Sequence, residues 1–119
     1  MLYDLHENEI KRIPKSREVN YQKWRKKLSN EEYNNAVSEI KRLINGKDNF
    51  NSSYLPGKNW LGTPLEPLYH ACGKSEEQSG YFFGLLVWEV IIKDSDVWYF
   101  KSPDKDSDDP LGKVYFRKK

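Results

Sequence analysis

The segment from residue 29 to residue 46 carries apolar residues every three or four positions, which is the period of an amphipathic helix. The recurring apolar residues are Tyr33, Val37, Ile40 and Ile44. Ser29 is followed three residues later by Glu32, the spacing of a capping box, and Gly46 suits the left-handed residue that ends many helices. The pattern predicts a helix that begins directly after Ser29 and ends before Gly46.

A second, shorter helix is predicted in the basic stretch "REVNYQKWRKKL", residues 17–28. Its inward-facing residues are expected to be Val19, Trp24 and Leu28. Pro14 separates this helix from the preceding chain, because proline disfavours helical angles in the residue before it. We therefore expect residues 1–16 to form a polar N-terminal arm, extended or loosely ordered.

The apolar run "SGYFFGLLVWEVIIKD" is compatible with two structures. The capping pattern of Ser75 and Gln78 and the length of the run favour a helix from Glu76 to about Ile92. Two internal glycines and a cluster of β-branched residues near its end favour a strand instead, so that "EVIIKDSDVWYF" would form a hairpin. We prefer the buried helix and keep the hairpin as the alternative for residues 80–92.

Two short segments near the end of the sequence, "VWYFK" and "KVYFRK", are rich in aromatic and β-branched residues, as strands are. They pair most simply antiparallel across the acidic loop "SPDKDSDDPLG". The alternate spacing of Phe50, Ser52 and Tyr54 permits one further short strand. Together the elements predict an α+β fold, in which three to four helices pack against a small antiparallel C-terminal β-sheet.

Length and composition fit one domain over residues 1–119. Of the 119 residues, 37% are hydrophobic and 14% aromatic, which is enough to supply one core. No apolar run reaches the roughly 18 residues that a membrane helix needs, and the charged start "MLYDLHENEIKRIPK" lacks the apolar region of a secretory signal. The single cysteine fits a reducing compartment. We expect a cytoplasmic protein of bacterial or phage association that does not contact a membrane.

Three reactive side chains of different types, Glu66, His70 and Cys72, lie within seven residues of one another. A carboxylate and an imidazole four residues apart share one side of a helix, which suits an acid/base pair. The stretch "TPLE" also matches a capping box, however, with Thr63 as the N-cap and Glu66 bonded back to it. We favour this structural role for Glu66. Glu66 and His70 stay weak candidates for catalysis, and we lean towards a protein that is not an enzyme.

The remaining reactive groups do not indicate a metal site or a cofactor. Cys72 is expected to be a small buried residue, because the negative end of a helix dipole opposes a thiolate. The two histidines, His6 and His70, are distant in sequence and have no cluster of His or Cys around them. The alternating aspartates of "DKDSDD" resemble the start of a calcium loop, but the glycine and the closing glutamate of such a loop do not follow.

The basic segment 11–27 is the strongest indication of a nucleic-acid ligand. It contains eight basic residues and one acid, a local net charge of +7, whereas the whole chain has a net charge of +2. The candidate contacts are Lys23, Arg25, Lys26 and Lys27 for phosphates, with Tyr21 and Trp24 for bases. The alternative is a solvated helix face whose cations are balanced by the acidic region 94–109.

Protein docking is the function that we expect first. Separate basic and acidic regions and many Tyr and Trp residues suit a protein interface, where aromatic side chains dominate the binding energy. The candidate contacts are Trp60, His70 and Trp24. For Trp60 the alternative is a ring that closes its loop over the core. We expect a binding protein of inhibitor, immunity or accessory type, with nucleic-acid binding as the second hypothesis and an acid/base enzyme as the third.

Overall fold

The computed structural model describes residues 1–51, 60–101 and 114–118, which contain four α-helices and one five-stranded sheet. The strands are β1 (Leu2–Tyr3), β2 (Glu9–Ile10), β3 (Asn49–Asn51), β4 (Trp98–Lys101) and β5 (Val114–Arg117). The helices are α1 (Glu18–Arg25), α2 (Asn30–Ile44), α3 (Glu66–Ala71) and α4 (Glu76–Lys93). A short 3₁₀ helix, Lys15–Arg17, leads into α1. The predicted α+β class is confirmed.

The sheet is mixed and draws on both ends of the described chain, so the prediction of an antiparallel C-terminal sheet needs correction. Its order is β2–β1–β4–β5–β3, with β1 parallel to β4 and the other neighbours antiparallel. The two added strands, β1 and β2, lie in the segment that we expected to form a polar arm. Each has only two residues, which is too short to show an alternating pattern. Backbone pairing holds β1 in place, and the Trp98 amide also donates to the Met1 carbonyl at 2.8 Å.

The predicted helix after Ser29 is confirmed, and it is capped as its sequence indicates. The Ser29 hydroxyl accepts a bond from the Glu32 amide at 3.0 Å, and the Glu32 carboxylate accepts one from the Ser29 amide at 2.9 Å. Past the end of α2, Gly46 has a φ of 72°, which a residue with a side chain adopts only with strain. The capping box and the glycine thus fix where α2 begins and ends.

The ambiguous apolar run is a helix throughout, and the hairpin alternative is wrong. In α4, the Ser75 hydroxyl accepts a bond from the Gln78 amide at 3.2 Å, as predicted. Ten of the 18 residues are buried, because other elements pack around the helix on several sides. A helix in such surroundings has no polar stripe, which is why its sequence resembles a buried strand. In the described part of the chain, no helix, including α4, has the length and apolar character needed to cross a bilayer.

Two of the three inward-facing residues predicted for the stretch 17–28 are confirmed. Trp24 and Leu28 are buried, but Val19 is 80% exposed, so its predicted inward orientation is wrong. Tyr21 is buried in its place, with 5% exposure. The helical period explains the exchange: Tyr21, Trp24 and Leu28 are three and four residues apart and share one side, whereas Val19 points to the other.

Two predicted features concern residues outside the described ranges. Strand β3 is present and buries Phe50 in the core, but its predicted continuation through Ser52 and Tyr54 lies outside. The acidic loop between β4 and β5, whose aspartates resemble the start of a calcium-binding loop, also lies outside the described residues. The two C-terminal strands that flank this loop do pair antiparallel, with Phe100 opposite Tyr115.

The cap of α2 gives a stability test. Replacing Ser29 by Ala removes the bond to the Glu32 amide, so we expect the free energy of unfolding to fall by about 1 kcal/mol. Ser38→Ala is the matched control, because Ser38 is exposed in the middle of the same helix, and it should change stability by only about a few tenths of a kcal/mol. Urea denaturation measures both variants; equal losses in the two would contradict the role of the cap.

Candidate functional site

The corner before α3 is built differently from the predicted capping box. Helix α3 begins at Glu66 with Leu65 as its N-cap, and that cap has no side-chain bond. The Thr63 hydroxyl instead donates to the Trp60 carbonyl at 2.7 Å and accepts from the Leu65 amide at 3.2 Å. The Glu66 amide bonds the Thr63 carbonyl within the same turn. The role predicted for Thr63 as N-cap and for Glu66 as its partner is therefore wrong, because Thr63 stabilises a turn one step earlier.

Glu66 and His70 lie on α3 four residues apart but do not form an acid/base pair. Among the described residues, no hydrogen bond or ion pair joins them. His70 is exposed and has the Tyr69 ring at 6.0 Å, while Glu66 is half-buried. Neither side chain lines the groove described below. Cys72 is buried, as expected, and burial raises the pKa of its thiol to about 11.

The aromatic residues singled out from the sequence lie in the core rather than on the surface. Trp60 is 7% exposed, with its ring 5.8 Å from that of Phe83, so it closes its loop over the core. Trp24 is also 7% exposed and packs 5.6 Å from Phe82. Tyr21 is buried beside the same phenylalanine. Trp60 and Trp24 therefore do not offer a partner surface, and Tyr21 and Trp24 do not offer a platform for bases.

A carboxylate on α4, Glu89, joins three helices. It accepts hydrogen bonds from the Tyr21 hydroxyl of α1, from the Tyr33 hydroxyl of α2 at 2.7 Å, and from the Lys93 ammonium at 3.0 Å. The Arg25 guanidinium lies over the Tyr33 ring, 3.7 Å from its centre. Arg25, proposed from the sequence as a phosphate contact, is thus engaged within the protein.

The same network sets the charge state of Glu89. Burial alone would raise the pKa of this carboxyl, but the bonds from Tyr21, Tyr33 and Lys93 outweigh burial and hold the pKa below its usual value. Burial and the adjacent carboxylate raise the pKa of both tyrosines. A catalytic acid or base needs a pKa near the working pH and a free position for substrate. The pKa of Glu89 is lowered and its oxygens already accept three hydrogen bonds, so we assign it a structural role.

A groove of about 660 Å³ opens beside this network, between α2, α4 and the end of β5. Two ion pairs lie along it: Lys93 bonds Glu89, and Arg117 bonds Asp96, while Lys41 is exposed at its edge. Arg117 also lies over the Trp98 ring and donates to the Ile44 carbonyl at 3.1 Å. Nowhere in the described ranges do three His, Cys, Asp or Glu side chains meet in a way that could hold a metal ion. The two ion pairs and the Arg117 contacts thus connect the helices to the sheet along this groove.

The side of the sheet turned away from the core carries a row of aromatic rings. Residues that pair across neighbouring strands point to the same side of a sheet. The register places Tyr3 beside Tyr99 and Tyr99 beside Phe116, on three adjacent strands. The Tyr3 and Tyr99 rings are 6.0 Å apart and tilted, and the Tyr99 and Phe116 rings are 6.0 Å apart and stacked. All three are half-buried, so each still presents part of its ring to solvent.

Polar residues of both charge signs surround these rings. We call this surface the outer face, consisting of Tyr3, Glu9, Asn49, Asn51, Tyr99, Lys101, Val114 and Phe116. Glu9 lies at one edge and accepts a long hydrogen bond from the Tyr3 hydroxyl, 3.4 Å, while Lys101 is exposed at the end of β4. The opposite side of the sheet is buried under the helices, as the 5.4 Å contact between Trp88 of α4 and Phe100 shows. No described helix packs on the outer face.

The basic segment divides into cations that are engaged and cations that are exposed. Arg25 lies over Tyr33, and Arg17 lies over the Tyr81 ring at 5.1 Å. Lys23, Lys26 and Lys27 are exposed, and we call these three residues the lysine face. The acids that we expected to balance them have other contacts where they are described. Asp96 pairs with Arg117, and Asp94 accepts a bond from the Trp98 indole at 3.0 Å.

The Glu89 network predicts a defined pH dependence. Because the folded pKa of Glu89 is lowered, the extra stability from its ionised form is present above about pH 4.5 and is lost as the pH falls through the lowered pKa. We expect Glu89→Gln to lower the free energy of unfolding by about 2 kcal/mol at pH 7, and the difference from the unsubstituted protein to shrink below pH 4.5.

Glu39→Gln is the control for this experiment. It removes the ion pair with Arg42 on the surface of α2, so a loss of no more than about 0.5 kcal/mol is expected. Urea denaturation between pH 3 and pH 7, roughly the window in which carboxyl groups titrate, measures both variants. A constant difference for Glu89→Gln across that range would contradict the assignment.

The burial of Cys72 predicts a slow reaction with thiol reagents. With a pKa of about 11, only about 0.1% of the thiol is ionised at pH 8, and the side chain is inaccessible. We expect Ellman's reagent to label the native protein at least about 100-fold more slowly than the urea-unfolded protein. Rapid labelling without denaturant would show that the thiol is activated.

Sequence reasoning missed the outer face, although a signal for it was present. The alternation in "VWYFK" puts Tyr99 on the same side as the charged Lys101, opposite Trp98 and Phe100. That pattern indicates that Tyr99 faces outward. The outer face and the lysine face are two surfaces of distinctive chemistry that the described residues leave open to other molecules. No family model, curated protein or solved structure matches this chain.

Proposed function

We propose that this chain is a small cytosolic binding protein, without catalytic activity, that docks another protein through the outer face of its sheet. The observation that carries the proposal is the aromatic row of Tyr3, Tyr99 and Phe116 across three adjacent strands. The four tryptophans all lie in the core, so these rings are not needed to fill it. An inhibitor, immunity or accessory protein would use such a surface.

Aromatic rings on a rigid surface favour protein binding. Tyr and Phe bury a large apolar area and lose little side-chain entropy, and they are enriched at protein interfaces. Contacts between neighbouring rings, at 6.0 Å in both pairs, restrict the side chains before a partner arrives. Strand pairing restricts the backbone beneath them. A surface ordered in advance loses less entropy on binding.

The charges around the rings favour a protein over a nucleic acid. The outer face has an acid, Glu9, on one side and a cation, Lys101, on another, with Asn49 and Asn51 at a third. A phosphate backbone is attracted by a surface of one positive sign. A protein interface combines an apolar centre with a polar rim of mixed sign. The proposed partner therefore presents an apolar patch with an acidic group placed to meet Lys101.

Site-directed photocrosslinking in the native host tests the proposal. A photoreactive amino acid at Val114 would lie within the outer face, and the same amino acid at Asn34, exposed on α2, serves as the control. We expect a discrete cross-linked protein from position 114 only. Cross-links to the same protein from Asn34 with equal yield, or only to a second copy of this chain, would contradict the proposal.

Binding of the purified partner then measures the contribution of one ring. We expect Tyr99→Ala to weaken the affinity by at least about tenfold, since central aromatic residues contribute most to interface energies. Tyr69→Ala is the matched control, because Tyr69 is also half-buried but lies on α3. It should leave the affinity unchanged. Calorimetry measures both, after thermal unfolding has shown that both variants are folded; equal affinity for Tyr99→Ala would argue against the outer face.

A further inference from the structure

We infer that the lysine face is a second binding surface, which holds the phosphate backbone of a double-stranded nucleic acid without contacting its bases. This function is separate from protein docking at the outer face and does not depend on it. It rests on the orientation of α1, on the accessibility of Lys23, Lys26 and Lys27, and on the burial of the aromatic residues between them.

The spacing of the three lysines puts them on the solvent side of α1. Residues three and four apart lie on one side of a helix, within about 6 Å of each other. Lys26 and Lys27 follow α1 in a turn that keeps them near its axis: the Lys26 amide bonds the Gln22 carbonyl and the Lys27 amide bonds the Trp24 carbonyl, both at 3.1 Å. Val19, 80% exposed, extends the same side towards the start of α1. The buried side, with Trp24, points the opposite way.

Packing of α1 fixes this orientation. The Tyr21 ring lies 5.9 Å from Phe82, the Trp24 ring lies 5.6 Å from the same phenylalanine, and the Tyr21 hydroxyl bonds Glu89. The one acid in the basic segment, Glu18, is half-buried and stands five residues before Lys23, outside the three- and four-residue spacing. Glu77 of α4 lines a pocket with Lys23, while Lys26 and Lys27 do not line it. The lysine face therefore presents three exposed cations, and its orientation cannot change without breaking the contacts of Tyr21 and Trp24.

The aromatic rings near these lysines are buried or covered: Trp24 is buried, and Tyr81, which lines a pocket with Lys23, is half-buried beneath Arg17. Lysines in such surroundings suit phosphates better than they suit a protein or a membrane. Protein interfaces are depleted in lysine and enriched in aromatic residues, while a lysine binds phosphate as a point charge. A membrane-surface helix needs an exposed apolar side, and in α1 only Val19 among the large apolar residues is exposed. Duplex nucleic acid carries one negative charge per about 1.7 Å of its axis, and lysines can bind these phosphates without any contact to the bases. Since Tyr21 and Trp24 are buried, recognition would not depend on sequence.

Fluorescence anisotropy with a labelled mixed-sequence duplex, titrated at several salt concentrations, tests the inference. We expect the substitutions Lys23→Gln, Lys26→Gln and Lys27→Gln together to weaken binding and to reduce the slope of log affinity against log salt by about 2.7, close to 0.9 for each lost phosphate contact. The matched control carries Lys41→Gln, Lys74→Gln and Lys118→Gln, which remove the same charge from exposed positions elsewhere. Its slope should fall by less than about 1.

Three further ligands decide between this surface and its alternatives. DNA and RNA duplexes present the same phosphate chemistry, so binding of either supports the inference, and the tighter one identifies the source. Tighter binding of single-stranded oligothymidine than of a duplex would indicate base stacking and overturn it. Polyglutamate is the third competitor. If it displaces the labelled duplex as strongly as unlabelled duplex does at the same concentration of charge, the lysine face binds an acidic protein, and the inference is overturned. No duplex binding at low salt, or equal losses in the control variant, would also overturn it.

Discussion

The hydrogen bonds that Glu89 accepts from two tyrosines are the interaction on which the arrangement of the helices depends. The buried residues of α4 are apolar apart from Ser79, whose hydroxyl bonds the Ser75 carbonyl of the preceding turn. Glu89 is the point at which α1 and α2 are both bonded to α4. A half-buried carboxylate is stable there only because its oxygens have partners. Lys93, one turn further along, supplies the compensating charge at 3.0 Å. The hydrophobic contacts between these helices are not directional, whereas this network is, so it favours one relative rotation of α1, α2 and α4.

The position of α4 determines what is inside and what is outside. Its Phe82 side packs against α1, and its Trp88 side packs against Phe100 of the sheet, 5.4 Å away. All four tryptophans of the chain are buried in the core that these contacts form. The distinctive side chains that stay accessible are tyrosine and phenylalanine on the sheet and lysine at α1. This division explains why a sequence rich in aromatic residues still has a strongly charged exterior.

Local sequence signals predicted the helices well because caps act over three or four residues. Ser29 with Glu32 and Ser75 with Gln78 each specify a helix start without help from the rest of the chain. The same kind of signal failed at Thr63, since a turn involving the Trp60 carbonyl used the hydroxyl first. Strand β1 was unpredictable for a different reason: its two residues are a strand only because β4 offers them backbone partners. Such pairing is a tertiary property that no window of the sequence contains.

The candidate surfaces were harder to predict than the fold because they depend on which side of each element is covered. Exposed cations do occur in the basic segment, but its aromatic residues were assigned to the surface, and only the contacts of Tyr21 and Trp24 with Phe82 show that they are internal. In β4, alternation separates Tyr99 from Phe100, yet it needs α4 to decide which of the two is inside. The sequence does contain one indication of which side faces solvent: the charged Lys101 lies on the same side of the strand as Tyr99.

The layered packing also determines how the two surfaces relate. Helix α1 packs at Phe82 of α4 and the sheet packs at Trp88, so the solvent side of α1 and the outer face of the sheet are separate surfaces of the molecule. A ligand along Lys23, Lys26 and Lys27 would therefore leave Tyr99 and its neighbours uncovered. Charge repulsion between two ligands would be weak as well, because at physiological salt exposed charges are screened beyond about 8 Å. If both proposed ligands bind, each would leave the other's surface uncovered, and a protein docked on the sheet would be held beside a nucleic acid.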